Sequence, residues 1–163
     1  VKLFPNVYFG ENILIAKGCE IRPGAFLREN VYAGERSVLG NSCEFKNAVL
    51  FPHVQTPHYN YVGDSILGAY SHLGAAALTS NVKSDKTLVK LHFEDGDVET
   101  GLKKFGSILS DHVEVGCQSV LNPGTIIFSN TNVYPLSSVR GIIPGGMIYK
   151  GQNRLVKKRG ENE

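Results

Sequence analysis

The sequence predicts an all-β protein folded as a parallel β-helix of hexapeptide repeats. Two observations lead to this prediction. Apolar residues recur every six positions in two separate runs, and a segment that lacks this period lies between the runs. Helices place apolar residues about every 3.6 positions and strands every two, so a period of six indicates very short strands joined by tight corners.

The two runs define the predicted inward-facing positions. The first run comprises Phe9, Ile15, Ile21, Leu27, Ala33, Leu39, Phe45 and Phe51, and it resumes as Leu67 and Leu73 after a slip of about one residue near Tyr61. The second run comprises Leu109, Val115, Leu121, Ile127, Val133 and Val139. A compact residue follows most of these positions by four, which allows adjacent coils to stack. Glycines directly after an apolar position, such as Gly34 and Gly40, are expected to give the corners their backbone freedom.

Three hexads make one triangular coil in this pattern, which is that of the left-handed parallel β-helix. The handedness is taken from the family pattern, because periodicity alone does not fix it. We expect the β-helix domain to occupy residues 1–150. The basic tail at 151–163, which carries Arg154, Lys157, Lys158 and Arg159, is expected to hang free or to cover a neighbouring molecule.

The interruption at about 83–106 predicts a hairpin that projects from the solenoid. Val89, Leu91 and Phe93 alternate with polar residues, and Asp95-Gly96 follows them. Alternation followed by Asp-Gly is typical of a β-hairpin. A solenoid accommodates such an insertion as a loop on one face, which is often the binding face.

Composition excludes several classes of protein. The net charge of +2 gives no reason to expect a nucleic acid or a membrane surface as partner, and 42% hydrophobic with 20% charged residues is typical of a globular domain. No apolar run approaches the roughly 20 residues that a membrane span needs, and residues 1–10 do not resemble a signal peptide. Three cysteines without metal-ligand spacing suggest a reduced, cytoplasmic setting.

Candidate chemistry is concentrated around the break in the repeat. His58 and Tyr61 stand three residues apart there, and an ordinary histidine can accept a proton at neutral pH. Arg28 and Lys46 follow inward positions 18 residues apart, so two stacked cations are a candidate phosphate site. The alternatives are a structural histidine and two solvated surface charges.

A metal site is the other reading of these histidines. His53 and His58 lie five residues apart, and trimeric hexapeptide carbonic anhydrases hold zinc with histidines on such coils. Neither histidine has an evident third ligand, so we expect no metal to be required.

The stretch from Arg28 to Asn81 resembles the acetyltransferase domain of the bifunctional N-acetylglucosamine-1-phosphate uridyltransferase and glucosamine-1-phosphate acetyltransferase, including its archaeal relatives. The residues that carry the resemblance are Leu39 to Lys46, Pro57 to Asp64 and Leu73 to Asn81. Weaker similarity extends it to most of the chain from Ile15 to Lys150.

This resemblance implies roles for individual residues. His58 matches the general base, Arg28, Lys46 and Tyr61 match residues that hold the sugar phosphate, and His72 stands where the family usually has a sugar-contacting Asn. Ala75, Asn81 and Cys117 match positions that line the acetyl-CoA site, and Lys150 matches a late basic residue near the cofactor phosphates. Val82 replaces an aromatic residue beside Asn81.

The implied activity is N-acetylation of an amino-sugar-1-phosphate, most simply glucosamine-1-phosphate, with acetyl-CoA as co-substrate, by a homotrimer with sites between prisms. The uridyltransferase half is expected on the rest of a longer chain or on a separate protein. Two alternatives stay open: a non-catalytic trimerising or regulatory module of a sugar nucleotidyltransferase, and a zinc hydratase of the carbonic-anhydrase type.

Overall fold

A computed structural model describes residues 1–158, and it consists of strands and turns with no α-helix among these residues. Among the described residues, no helix is long and apolar enough to cross a membrane. The strands, in chain order, are β1 (Lys2–Leu3), β2 (Tyr8–Ile15), β3 (Glu20–Ile21), β4 (Phe26–Ala33), β5 (Val38–Asn41), β6 (Glu44–Leu50), β7 (Gln55–His58), β8 (Tyr61–Leu67), β9 (His72–Leu73), β10 (Leu78–Thr79), β11 (Lys90–Phe93), β12 (Gly96–Glu99), β13 (Ser107–Leu109), β14 (Glu114–Val115), β15 (Val120–Leu121), β16 (Thr125–Ile127), β17 (Asn132–Val133), β18 (Ser138–Val139), β19 (Ile142–Ile143), β20 (Met147–Tyr149) and β21 (Leu155–Lys157).

These strands form a solenoid with three parallel faces, so the predicted all-β class and parallel β-helix are confirmed. The first face stacks β1, β3, β5, β7, β9, β14, β17 and β20. The second face joins β10, β15 and β18 to the beginnings of β4, β6 and β8, and the third joins β13, β16 and β19 to their ends. The long strands therefore bend around the corner between the second and third faces.

Inward side chains from all three faces form the core, and their spacing along the chain corrects the predicted register. Leu50 is fully buried, whereas Phe51 is 46% exposed. The inward position therefore falls five residues after Phe45, at Leu50, and again five residues after Val62, at Leu67. The period of six is thus shortened by one residue at two places rather than once near Tyr61. The cause is that β6 and β8 are each seven residues long, one shorter than β4.

Corners of the solenoid use left-handed backbone at residues that are mostly not glycine. Positive φ recurs three residues after inward positions, as at Asn30, Arg36 and Ser42. Gly34 and Gly40, by contrast, do not have positive φ, and a Cβ there would overlap the backbone of Pro52 or Pro57 in the next coil. The prediction that these glycines provide corner flexibility is therefore wrong; they are needed because neighbouring coils approach too closely for a side chain.

The insertion leaves the stack of coils undisturbed. His72 of β9 pairs with Glu114 of β14, so the two strands are neighbours although the insertion lies between them. Within it β11 and β12 pair antiparallel, which confirms the predicted hairpin, and its turn is formed by Glu94 and Asp95, one residue earlier than the predicted Asp-Gly.

The segment after Gly151 does not hang free where the structure describes it. β21 pairs antiparallel with β20, and Lys158 donates its backbone N–H to the Gly146 carbonyl at 2.9 Å. The expectation of a free tail is thus wrong for residues 151–158, because this segment closes the end of the first face. Arg159 and the residues after it lie outside the described part of the chain.

Candidate active site

Arg28, Lys46, Tyr61 and Asn81 meet at the corner between the second and third faces, and we call them the corner cluster. Leu27, Phe45, Val62 and Thr79 are register partners in four successive coils. Arg28 and Lys46 directly follow the first two of these inward residues, so the predicted placement on successive coils is correct. The pairing shifts by one residue after Leu27, and Lys46 therefore lies opposite Glu29 instead of Arg28.

Both cations of the corner cluster already have acidic partners. Arg28 Nη1 lies 2.9 Å from Glu44 Oε1, and this hydrogen bond raises the pKa of the guanidinium further. Lys46 Nζ lies 3.6 Å from Asp64 Oδ1, and both of these side chains are nearly buried, at 11% and 12% exposure. Lys46 is therefore not a solvated surface charge, and a phosphate would share each cation with a carboxylate.

Tyr61 and Asn81 complete the same network. Asn81 Nδ2 donates to the Tyr61 hydroxyl at 3.1 Å and also to Asp64. The Tyr61 ring lies over Gly63, where a side chain would overlap it. Burial raises the pKa of Tyr61 above its usual value, and the nearby carboxylates of Glu44 and Asp64 add to the effect. The neutral phenol thus keeps its proton and can donate it to an anionic oxygen.

His58, Ala75 and Cys117 form a second group, one above the other at the end of the first face. The Ala76 N–H donates to the His58 carbonyl at 3.0 Å, and the Gln118 N–H donates to the Ala75 carbonyl at 2.8 Å. The three residues therefore lie on successive coils, and we call them the His58 column. Cys117 lies only two coils from His58 although 59 residues separate them in the chain, because the insertion adds no coil to the stack.

A buried amide fixes the turn that carries His58. Asn60 occupies an inward position that is otherwise small, and it is 2% exposed. Its Nδ2 donates to the carbonyls of Gly74 and Ala77 at 2.8 and 2.9 Å, while its Oδ1 accepts the His58 N–H at 3.2 Å. Asn60 therefore ties the coil of His58 to the coil of Ala75, and it leaves the His58 imidazole exposed.

The backbone N–H of Ala75 is a free donor within the described part of the chain. Its neighbours Gly74, Ala76 and Ala77 each donate to a backbone carbonyl, whereas the Ala75 N–H takes part in no hydrogen bond there. Strands in neighbouring coils are about 4.8 Å apart, so this donor lies one coil from His58. A base and a free N–H at this spacing can serve a reaction in which a proton leaves a nucleophile and negative charge develops on an oxygen.

Two predicted residues lie elsewhere. His72 begins the first face, at its other end from His58, and its Nδ1 is 2.8 Å from Glu114 Oε2. The structure does not bring it to the corner cluster. Lys150 directly follows β20, the last parallel strand of the first face, at the same end of this face as Cys117. Its ammonium group lies 5.6 Å from the centre of the Tyr134 ring.

The histidines considered for zinc are separated by the fold. His58 ends β7, whereas His53 lies at the corner before β7 and stacks on the Tyr70 ring with centroids 4.5 Å apart. Among residues 1–158, no three His, Cys, Asp or Glu side chains are arranged to hold a metal ion.

Sequence reasoning missed three residues that shape the site: Glu44, Asn60 and Asp64. Asn60 had a signal, since an amide stood in a compact position of the repeat. The two carboxylates had none, because their effect depends on which coil each cation faces.

The pattern of the family described as "GMPPB C-terminal domain" matches residues 9–143. The chain belongs to this family. It is also 32% identical over 140 residues to the "Bifunctional protein GlmU" of Methanococcus vannielii, which covers 85% of this chain and 34% of that protein. It is 30% identical over 128 residues to the "Bifunctional sugar-1-phosphate nucleotidylyltransferase/acetyltransferase" of Sulfurisphaera tokodaii, covering 78% and 32%. The chain thus spans about one third of the length of these relatives.

Among solved structures, the acetyltransferase domain of PglB from Neisseria gonorrhoeae, in complex with acetyl coenzyme A, superposes with a TM-score of 0.62. The match covers 80% of this chain and 53% of that chain at 17% identity. At this identity the likeness shows a shared fold.

Proposed function

We propose that this chain is an acetyl-CoA-dependent N-acetyltransferase that acts on the amine of an amino-sugar-1-phosphate, most simply glucosamine-1-phosphate. The observation that carries the proposal is the free Ala75 N–H one coil from His58. The names of the relatives and the acetyl coenzyme A bound to the PglB domain support the same class of reaction.

His58 acts as the general base in this mechanism. An amino sugar is mostly an ammonium ion at neutral pH, and only its free amine attacks a thioester. The ammonium ion first loses one proton to water; the free amine nitrogen then forms a bond to the acetyl carbonyl carbon, and His58 takes the second proton that the nitrogen loses. The Ala75 N–H then stabilises the oxyanion of the tetrahedral intermediate. When the C–S bond breaks, the thiolate of coenzyme A leaves and takes the proton from the imidazolium.

The remaining predicted residues hold the two substrates. Arg28, Lys46 and Tyr61 bind the sugar phosphate, with His72 facing the sugar in the assembled enzyme. Asn81, Cys117 and Lys150 line the path of acetyl-CoA. Positioning of this kind contributes as much as the proton transfer itself, since it replaces an encounter in solution.

A homotrimer is the proposed active form. Outward apolar side chains form a strip along the third face on four successive coils, namely Leu14, Tyr32, Val49 and Ile66. All four are between 37% and 64% exposed. A second copy of this chain is the partner that matches the strip. The strip residues repeat once per coil, and only a solenoid with the same distance between coils can contact all of them in register. Closed cyclic symmetry then repeats one heterologous contact three times.

A second candidate is a non-catalytic module of a sugar nucleotidyltransferase. The observation that favours it is the pairing of Arg28 with Glu44 and of Lys46 with Asp64, which leaves little free positive charge in the corner cluster. Thiol release from acetyl-CoA separates the two. The acetyltransferase releases thiol with glucosamine-1-phosphate or galactosamine-1-phosphate as acceptor, and the module does so with neither.

A further inference from the structure

A groove of about 320 Å³ lies between the insertion and the late coils, well apart from the His58 column. The insertion lines it with Lys83, Asp85 and Lys90, while the coils line it with Asn122, Gly124 and Arg140. The volume is at the lower end of the range for small-molecule sites.

The groove is a fixed part of the fold, because the insertion is anchored on both sides of it. Val82 and Lys104 form an antiparallel bridge, and Val89 donates its N–H to Leu102 at 2.8 Å. Val89 is buried and packs over Gly124, where an added Cβ would lie 3.0 Å from its side chain. The walls therefore do not depend on the exposed end of the hairpin.

Positive charge predominates among the groove residues. Lys83, Lys90 and Arg140 oppose one lining carboxylate, Asp85. Lys83 lies 3.5 Å from Asp85, and Lys90 lies 2.9 Å from Glu99. Within residues 1–158 the guanidinium of Arg140 forms neither an ion pair nor a hydrogen bond, unlike that of Arg28. Arg140 thus presents a complete set of donors suited to two oxygens of one anion.

Polar groups beside Arg140 suit a ligand with hydroxyl groups. Asn122 Nδ2 donates to Ser138 Oγ and to the Val139 carbonyl at 2.9 and 2.8 Å, which leaves its Oδ1 as an acceptor. The hydroxyls of Ser80 and Ser84 form no hydrogen bond within the described residues, so both are available as donors or acceptors.

Arg140 in this groove is too far from Lys46 of the corner cluster for the two cations to bind one phosphate. Arg140 directly follows the inward residue Val139. Val139 lies four coils beyond Phe45, because the register pairs Phe45 with Val62, then Thr79, Leu121 and Val139 in successive coils. At about 4.8 Å a coil, Arg140 is on the order of 19 Å from Lys46 along the same corner.

We infer that this groove is a second anion site, which binds the phosphate or diphosphate group of a small phosphorylated ligand through Arg140, with Lys83 and Lys90 beside it. The inference does not rest on the proposed acetyl transfer, since a non-catalytic module could bind the same ligand. Sugar phosphates, nucleotides and coenzyme A all carry such a group.

Calorimetry with inorganic pyrophosphate tests the site in the full chain. Binding is expected for the parent protein, and Arg140→Gln should weaken it at least about tenfold, which corresponds to the loss of a charge-assisted hydrogen-bond pair. Arg140→Lys should bind at an intermediate level, because it keeps the charge without the planar fork. Arg36→Gln is the matched control, since Arg36 is an exposed arginine at a different corner, and it should bind as the parent does.

Two further measurements keep the outcomes distinct. Arg28→Gln should not change pyrophosphate binding at this site, even if it abolishes acetyl transfer. Glucosamine-1-phosphate, UDP and coenzyme A are then tested as competitors, and displacement by one of them identifies the source of the phosphate. Absence of pyrophosphate binding at millimolar concentration, equal binding by Arg140→Gln, or displacement by none of the three would overturn the inference.

Discussion

The carbonyl oxygen of His58 accepts the backbone N–H of Ala76 at 3.0 Å, so the imidazole and Ala75 lie on adjacent coils at one end of the first face. Seventeen residues separate His58 from Ala75 in the chain, as in the pairing of Gln55 with His72. The proposed base and the proposed oxyanion donor are thus held by the same ladder of backbone hydrogen bonds that builds the solenoid.

Loss of the Asn60 amide should destabilise the fold at the site. Asn60→Ser restores the small residue that other coils have, but it leaves the carbonyls of Gly74 and Ala77 without their donors. We expect the free energy of unfolding to fall by about 2 kcal/mol or more, because each buried unpaired group costs about 1–3 kcal/mol. Denaturant unfolding measures this. Asn41→Ser is the control, since the Asn41 side chain donates only to Ser42, and superimposable curves for Asn60→Ser and the parent would refute the role.

The three cysteines should differ sharply in reactivity. Burial raises the pKa of the Cys43 thiol to about 11 and also raises that of Cys19, whereas Cys117 is exposed. Only the thiolate reacts with a disulfide reagent. At about pH 8 we expect one thiol to react quickly in the folded chain and all three after unfolding. Fast reaction of a second thiol in the folded protein, or of Cys117→Ser, would contradict this account of the core.

Elevated thiol pKa also has a consequence for stability. A thiol whose folded-state pKa is raised stays neutral while the unfolded thiol ionises above its ordinary value of 9.0. The contribution of Cys43 to stability is therefore complete below this value and declines as the pH rises towards about 11.

A charge in the apolar strip should prevent assembly. Ile66→Asp places a carboxylate on the third face, where Ile66 is 40% exposed. Light scattering at micromolar concentration should show a trimer for the parent and a monomer of about 17.8 kDa for the variant. Val98→Asp is the control, because Val98 is also exposed, at 50%, but lies on the hairpin strand β12. A parent that is monomeric and fully active at that concentration would contradict the shared-site arrangement.

The sequence predicted the solenoid well because the core repeats locally. Each hexad contains its own inward residue, so the sequence alone identifies most of the buried inward residues from Ile21 to Val139. The misplaced residue was Phe51, because a strand shortened by one residue moves Leu50 inward and leaves no local mark. The hairpin was equally local, since alternation and a turn signal sufficed.

The site was less predictable because its chemistry depends on neighbours from other coils. Arg28 and Lys46 were recognised as cations, but their carboxylate partners Glu44 and Asp64 lie 16 and 18 residues away and were not foreseen. Likewise, the free state of the Ala75 N–H follows from which neighbouring groups already donate, and no residue type reveals it. Arg140 was missed because the groove forms only when the insertion folds back.

The rate of acetyl transfer by His58→Ala tests the central claim most directly. Thiol release from acetyl-CoA is measured with glucosamine-1-phosphate for the parent, His58→Ala and the control His53→Ala, whose ring stacks at another corner. Loss of a general base should lower turnover by about 100-fold or more in His58→Ala, while His53→Ala retains the parental rate. Thiol release by the parent and by His53→Ala, together with its loss in His58→Ala, supports the account. Turnover at the parental rate by His58→Ala would contradict it.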